Sequence, residues 1–295
     1  MKDGATGREE ELAIGVIGGS GLYELPGLKR VHPVEVQTPF GPPSDALTTG
    51  FLEGIRMVFL PRHGRGHRIS PAEVNSRANI FAMKKLGVTR IISISAVGSM
   101  REEIRPGDMV VCDQFVDRTT GRKGTFFEGG IVAHVHFADP VCPVLSDCLL
   151  DAGLQVGACM HKGGTYLVIE GPQFSTRAES AIYRQWQVDV IGMTNLPEAR
   201  LAREAEICYA TLALATDYDC WRSLAEEVSV EAVLEVLQKN RVTAQRILSA
   251  FVKRVPRERH CRCADSLRNV ILTNLAQIPL KTRKKLDLLI GKYLP

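Results

Sequence analysis

Leu12-Ala13-Ile14-Gly15-Val16-Ile17 is an uncharged run that empties into Gly18-Gly19-Ser20-Gly21. A short apolar run bounded by glycines reads as a buried strand entering a tight turn. Similar runs, rich in β-branched or small residues, recur at 56–60, 90–95, 109–112, 164–169, 188–193 and 208–216. Between them, 71–86 and 197–206 carry helical spacing, each opened by a proline whose missing N–H costs nothing in a first turn. Alternation of this kind predicts an α/β fold, a central mixed, mostly parallel twisted sheet flanked by helices. Two weaker helical segments, 229–255 and 265–293, close the chain without any preceding linker or shift in composition. Residues 12–295 are therefore expected to form a single domain behind a polar tail at 1–11.

The 295 residues can bury a sizeable core, and 45% hydrophobic with 24% charged residues excludes a disordered or collagen-like bulk. The net charge of +4, from 37 basic and 33 acidic residues, is too even to argue for nucleic acid or a membrane surface as partner. A small anion remains open. The polar first residues hold no apolar signal segment, and no run is long enough to span a bilayer, so a cytoplasmic protein is expected. Eight cysteines scattered through a long chain are expected to be reduced, buried thiols.

Five segments could carry chemistry, and each has a plainer reading. The glycine turn at 18–21 can offer backbone N–H groups and the Ser20 hydroxyl to an anion, or be only a turn. The loop Pro61-Arg62-His63-Gly64-Arg65-Gly66-His67-Arg68 gathers three arginines and two histidines after a strand. Arginine suits phosphate, although a solvated basic loop has the same composition. Ser93-Ile-Ser-Ala-Val-Gly-Ser-Met100 ends a strand in small residues, fitting either a second wall of donors or close packing. In Glu170-Gly-Pro-Gln-Phe-Ser-Thr-Arg177 a single aromatic, Phe174, could stack on a sugar or base, or simply pack under a loop. Asp217 and Asp219, two residues apart after an apolar strand, point to one side or sit in a solvated turn. In an enclosed site, burial and mutual repulsion would raise one of their pKa values and make a proton donor near neutrality. All five fall at the ends of expected strands, where an open α/β sheet assembles its ligand site.

Taken in order, these segments resemble the trimeric branch of the purine nucleoside phosphorylase superfamily, in particular its members acting on 5′-methylthioadenosine. The resemblance runs from about residue 14 to 237. It rests on Ile17-Gly-Gly-Ser-Gly-Leu22, Arg62-His-Gly64, Asn75 to Asn79, Arg101-Glu-Glu-Ile-Arg-Pro-Gly-Asp108 and Asp113-Gln-Phe-Val-Asp-Arg-Thr-Thr120. It continues through Ile169-Glu-Gly-Pro-Gln-Phe-Ser175, Gly192-Met-Thr-Asn-Leu-Pro-Glu198 and Ala215-Thr-Asp-Tyr-Asp-Cys-Trp221.

The resemblance implies that Ser20, Arg62, His63, Ser95, Ala96 and Thr194 hold phosphate, Ala96 through its backbone. It implies Met193 on the ribose hydroxyls, Phe174 against sugar or base, and Ser175 nearby. Asp217 and Asp219 would act as the catalytic pair facing N7 and the 6-amino group of the purine. Val230, Val233 and Leu234 would line an apolar 5′-alkylthio pocket, and His134 would come from the neighbouring subunit of a homotrimer or a dimer of trimers. The expected reaction is phosphorolysis of 5′-methylthioadenosine to adenine and 5-methylthioribose 1-phosphate, in purine and methionine salvage. Its expected partners are a small nucleoside and inorganic phosphate as co-substrate, with no metal and no organic cofactor.

Members acting on 6-oxopurines typically carry Asn at the position of Asp217 and Glu at that of Ser175, because O6 needs a donor. A 6-amino group donates, so carboxylates favour adenine, and a mismatched polar contact in a buried site costs factors of roughly 10⁴ to 10⁵. The alternatives are a 6-oxopurine or methylthioinosine phosphorylase, a water-using nucleosidase, and a non-catalytic adenine-nucleoside binding protein. Gly192 and the segment Tyr23-Glu24-Leu25-Pro26 depart from the family pattern, and past residue 237 the resemblance thins. There His260-Cys261-Arg262-Cys263 stands as a plain surface segment, a metal-binding tract, or a Cys-x-Cys disulfide of the kind related thermophile enzymes carry.

Overall fold

The apolar run around Ile14 forms β1 (Ala13–Gly18), buried along its whole length between two parallel neighbours, β4 (Ile55–Pro61) and β5 (Arg90–Ser99). A strand covered on both faces has no need of alternation, and hence reads as a continuous apolar run. The computed structural model describes residues 12–19, 21–222 and 230–294, the last stretch with side chains from 235 onward. The tail at 1–11 lies outside the described residues.

On one side the sheet continues from β4 to β3 (Leu47–Leu52) and the solvent-exposed edge strand β2 (Lys29–Val34), both antiparallel. On the other, β5 pairs in parallel with β11 (Cys208–Asp217), which in turn carries β6 (Met109–Val111) and β8 (Met160–Lys162). The last residues of β5, Gly98 and Ser99, turn to β10 (Val190–Gly192), followed in parallel by β9 (Thr165–Ile169) and β7 (Gln114–Arg118). Six strand pairs are parallel and four antiparallel, so the sheet is mixed and mostly parallel, as expected. One sheet unites all these strands in a single α/β domain.

Helices cover both faces. α1 (Ser76–Lys85), α4 (Glu198–Glu204) and α6 (Leu280–Ile290) add Ile80, Leu201 and Leu286 to one apolar cluster, which takes Ile91 and Val97 from β5. α2 (Pro143–Gln155) and α5 (Val230–Val252) add Leu149 and Phe251 to the cluster that takes Ile92 and Ile94. Period-two alternation therefore leaves Ser93 and Ser95 on the face of Ile91 and Val97. α3 (Arg177–Gln185) packs Tyr183 against Ile191 and is opened by a capping box, with Thr176 and Glu179 each satisfying the other's backbone N–H. Among the described residues, no helix is long and apolar enough to cross a membrane.

The expected helix over 265–293 is shorter in the structure: only Leu280–Ile290 is α-helical. Asn269 adopts φ +60°, Asn274 caps a single 3-10 turn by accepting from the Ala276 N–H, and Pro279 stands at the N-cap of α6. These residues satisfy the backbone locally and stop a helix from running back beyond Leu280. Likewise, the segment opened by Pro71 makes one 3-10 turn (Pro71–Glu73) before α1 begins, with Asn75 capping the Ala78 N–H.

Candidate active site

At its carboxyl end β5 leaves β1, which pairs only with Arg90–Ser93, and takes up β10: Gly98 is in register with Ile191 of β10 on one side and Asp217 of β11 on the other. The crevice between them opens into a cavity of about 540 Å³. It is lined by Arg62 and His63 after β4, Ser95 and Ala96 in β5, Phe174 before α3, Met193 and Thr194 after β10, and Asp217 and Asp219 at the end of β11. The structure thus brings together nine of the residues singled out by sequence.

One wall of the cavity is built on a buried ion pair. Arg62 meets Glu198 through two parallel bonds, Nε to Oε2 at 3.0 Å and Nη2 to Oε1 at 3.1 Å. Its Nη2 also donates to Ser93 Oγ at 2.6 Å and to the Ile17 carbonyl, and its Nη1 to the Ile94 carbonyl. Tyr209 Oη donates to Glu198 Oε1 at 2.8 Å and is placed to donate to Asn195 Oδ1 at 2.7 Å, which also accepts from Ser93. Burial alone would lower the Arg62 pKa and raise that of Glu198, but their mutual attraction outweighs burial in both and keeps both charged. Among the described residues, one of the five guanidinium hydrogens, on Nη1, has no acceptor. Arg62 is consequently a rigid donor, locked by its partners and presenting little beyond that one hydrogen.

His63 Nδ1 donates to the Ile69 carbonyl at 2.9 Å, an atom that can only accept, which fixes the tautomer and leaves Nε2 as the unprotonated nitrogen. Burial and then the Arg62 charge push the His63 pKa down to about 4. A bound anion would oppose the Arg62 charge and raise the His63 pKa again. His67 stacks on the His63 ring at 4.4 Å between centroids. Among the described residues Ser95 Oγ is buried with no hydrogen-bond partner, and a buried hydroxyl without one is costly unless a ligand supplies it. Thr194 Oγ1 lies 3.0 Å from Tyr166 Oη. Gly192 has its physical reason here, because a Cβ would sit 2.0 Å from that tyrosine oxygen.

The opposite wall carries the carboxylates. A register shift between Ala215 and Asp217 bulges the end of β11 and re-aims Asp217 beside Gly98. Burial raises the Asp217 pKa, Thr216 Oγ1 donating at 2.7 Å opposes this, and the Asp219 charge adds to the rise. Asp219 is held by the Ser180 hydroxyl on α3. Phe174 stands 85% exposed at the cavity rim.

Other expected residues fall elsewhere. Ser175 does not line the cavity, although its Oγ is buried without a partner among the described residues. His134 is exposed and outside its own chain's cavity, its N–H donating to the Val270 carbonyl. Ser20 lies outside the described residues, as do the side chains of Val230, Val233 and Leu234 on α5. Sequence reasoning missed Glu198 and Tyr209 as supports of Arg62, and Arg241 of α5, which also lines the cavity. The Arg241 Nε is buried with no partner among the described residues.

A family model described as the phosphorylase superfamily matches residues 13–253. The S-methyl-5′-thioadenosine phosphorylase of Geobacter sulfurreducens is 61% identical over 284 residues, covering 96% of this chain and 99% of that protein. The protein of the same name from Koribacter versatilis is 53% identical over 280 residues, covering 95% and 96%. Among solved structures, a methylthioadenosine phosphorylase from an Antarctic soil metagenomic library superposes with TM-score 0.91 at 46% identity, covering 95% of this chain and 99% of that one. The Schistosoma mansoni methylthioadenosine phosphorylase in complex with adenine gives TM-score 0.81 at 39% identity, covering 88% and 99%.

Proposed function

This chain belongs to the phosphorylase superfamily, and on that footing we propose that it cleaves 5′-methylthioadenosine with inorganic phosphate. The products are adenine and 5-methylthioribose 1-phosphate. The carrying observation is the opposition of two walls across one cavity, donors and a cation on one side and a carboxyl with a raised pKa on the other.

In this reading a phosphate oxygen attacks C1′ as the bond from C1′ to N9 breaks, and the electron pair of that bond passes into the purine. Protonated Asp217 gives its proton to N7, so adenine leaves neutral. Asp219 accepts from the 6-amino group. Phosphate lies against Ser95 Oγ, the free Arg62 hydrogen, His63, Thr194, the Ala96 backbone and Ser20, where its charge also balances the cationic sugar. Met193 and Phe174 hold the ribose and base, with Ser175 behind them, and Val230, Val233 and Leu234 take the methylthio group. The chemistry asks for no metal or organic cofactor, since phosphate is both nucleophile and counter-charge. We place the reaction in the cytoplasm, in a homotrimer or dimer of trimers that brings a neighbouring subunit's His134 to each site.

The test is release of free base from methylthioadenosine, adenosine, methylthioinosine and inosine, each with and without phosphate. Phosphate-dependent adenine release, fastest from methylthioadenosine, is expected. Preferential hypoxanthine release would overturn the reading of the carboxylates, release without phosphate would make the protein a nucleosidase, and no release would make it a binding protein.

A further inference from the structure

Four cysteines that the reaction does not use converge at the other end of β11. Cys208 opens that ten-residue strand, roughly 30 Å from Asp217 at its far end. Cys142 is the N-cap of α2, Cys261 is the N-cap of the 3-10 turn at Arg262–Asp265, and Cys263 lies within that turn. The four sulfur atoms all lie within 4.8 Å of one another, with Cys208 and Cys261 at 3.3 Å, and none is in a disulfide. Cys142, Cys208 and Cys263 are buried and Cys261 is partly accessible, next to a surface cavity also lined by Cys263.

A tetrahedral ion with metal–sulfur bonds of about 2.3 Å sets its sulfur–sulfur edges at about 3.8 Å, within the spread found here. The surroundings also suit charge. A tetrathiolate around a divalent ion is a buried dianion, tolerated only beside cations and dipoles. Arg90 is buried beside these thiols, and its guanidinium donates to the carbonyls of Pro256, Arg257 and Glu258 at 2.7 to 3.1 Å. Among the described residues it has no carboxylate partner, so thiolates are the anions within its reach. Cys142 adds the positive end of α2, whose first helical residue, Pro143, has no N–H to satisfy.

We propose that Cys142, Cys208, Cys261 and Cys263 form a structural zinc site, four thiols giving up four protons to bind one ion. The ion clamps the C-terminal segment to the start of β11 and the N-terminus of α2. All four sulfur ligands come from the chain, which closes the coordination sphere and leaves no position for catalysis.

The full chain, purified without chelator from zinc-supplemented cells, is expected to hold one zinc per chain by inductively coupled plasma mass spectrometry. Growth on cobalt should give thiolate-to-cobalt charge-transfer bands and the intense visible bands of a tetrahedral ion. Cys261→Ser with Cys263→Ser should bring the metal close to zero, while Cys148→Ser leaves it unchanged. A second measurement on the unmutated protein does not depend on the variant folding: thiols counted in denaturant with chelator and no reductant. Stoichiometric zinc with all eight thiols free supports the site. Metal-free protein overturns it, with eight thiols meaning a reduced cluster and fewer meaning disulfides.

Discussion

Glu198 on α4 and Arg62 after β4 form a two-pronged ion pair at 3.0 and 3.1 Å, with both side chains almost sealed from solvent. Removing one partner from such a pair leaves a buried charge uncompensated. Glu198→Ala is expected to lower stability by about 3–5 kcal/mol in urea titration. It should also raise the KM for phosphate, because Arg62 loses its fixed orientation. Unchanged stability would show that the pair contributes little to the folded state.

Ser95 gives the opposite forecast. Its buried hydroxyl makes no hydrogen bond among the described residues, so Ser95→Ala removes a desolvated polar group and should hold stability or raise it by up to about 1–3 kcal/mol. A hydrogen bond to a charged ligand is worth about 1.5–3 kcal/mol, so the KM for phosphate should rise by roughly 10- to 100-fold. Steady-state kinetics against phosphate, beside a melting curve, separates the two effects. An unchanged KM would remove Ser95 from the anion site.

Asp217 carries the pH forecast. It must be protonated to act, so kcat/KM should fall as pH rises through its raised pKa. Asp217→Asn keeps a donor but has no proton to give. The variant should lose roughly 10²- to 10⁴-fold in kcat, lose that limb of the pH profile, and shift its preference from adenine towards hypoxanthine nucleosides. Retention of the full rate would exclude Asp217 as the acid.

Glu204 links stability to pH away from the cavity. Burial raises its pKa to about 7, against the opposing bonds from the Phe126 N–H and the Thr125 hydroxyl, both at 2.7 Å. The native state therefore keeps this proton to higher pH than the unfolded chain. The contribution is complete below the ordinary value of 4.5 and is lost as pH rises through about 7. The loss is on the order of 3 kcal/mol. Glu204→Gln preserves an acceptor and a donor without the titration, and should flatten this decline in denaturation curves measured from pH 4 to 8.

Buried parallel strands such as β1 and β11 were legible because burial on both faces writes a continuous apolar run. β2 was not, since Lys29, Arg30, His32 and Pro33 follow the solvent at an edge rather than a period. β8 has only three residues, and α3 was overlooked although Thr176 and Glu179 spell its start. Short motifs at strand ends exposed most of the cavity lining. Its support was hidden, because Arg62 and Glu198 are 136 positions apart and only the folded sheet joins them. The same holds for the thiols: Cys261 and Cys263 form a visible pattern, whereas Cys142 and Cys208 join them only in space.

Alternation along β5 gives Ile92 and Ile94 to one core and keeps Ser93 and Ser95 on the other face. Inserting or deleting a single residue near position 92 would exchange these roles downstream, turning isoleucine towards phosphate and driving hydroxyls into hydrocarbon. Its reading frame is thus fixed more tightly than its spelling. Among descendants of this gene, substitutions should therefore accumulate within β5 sooner than single-residue gaps.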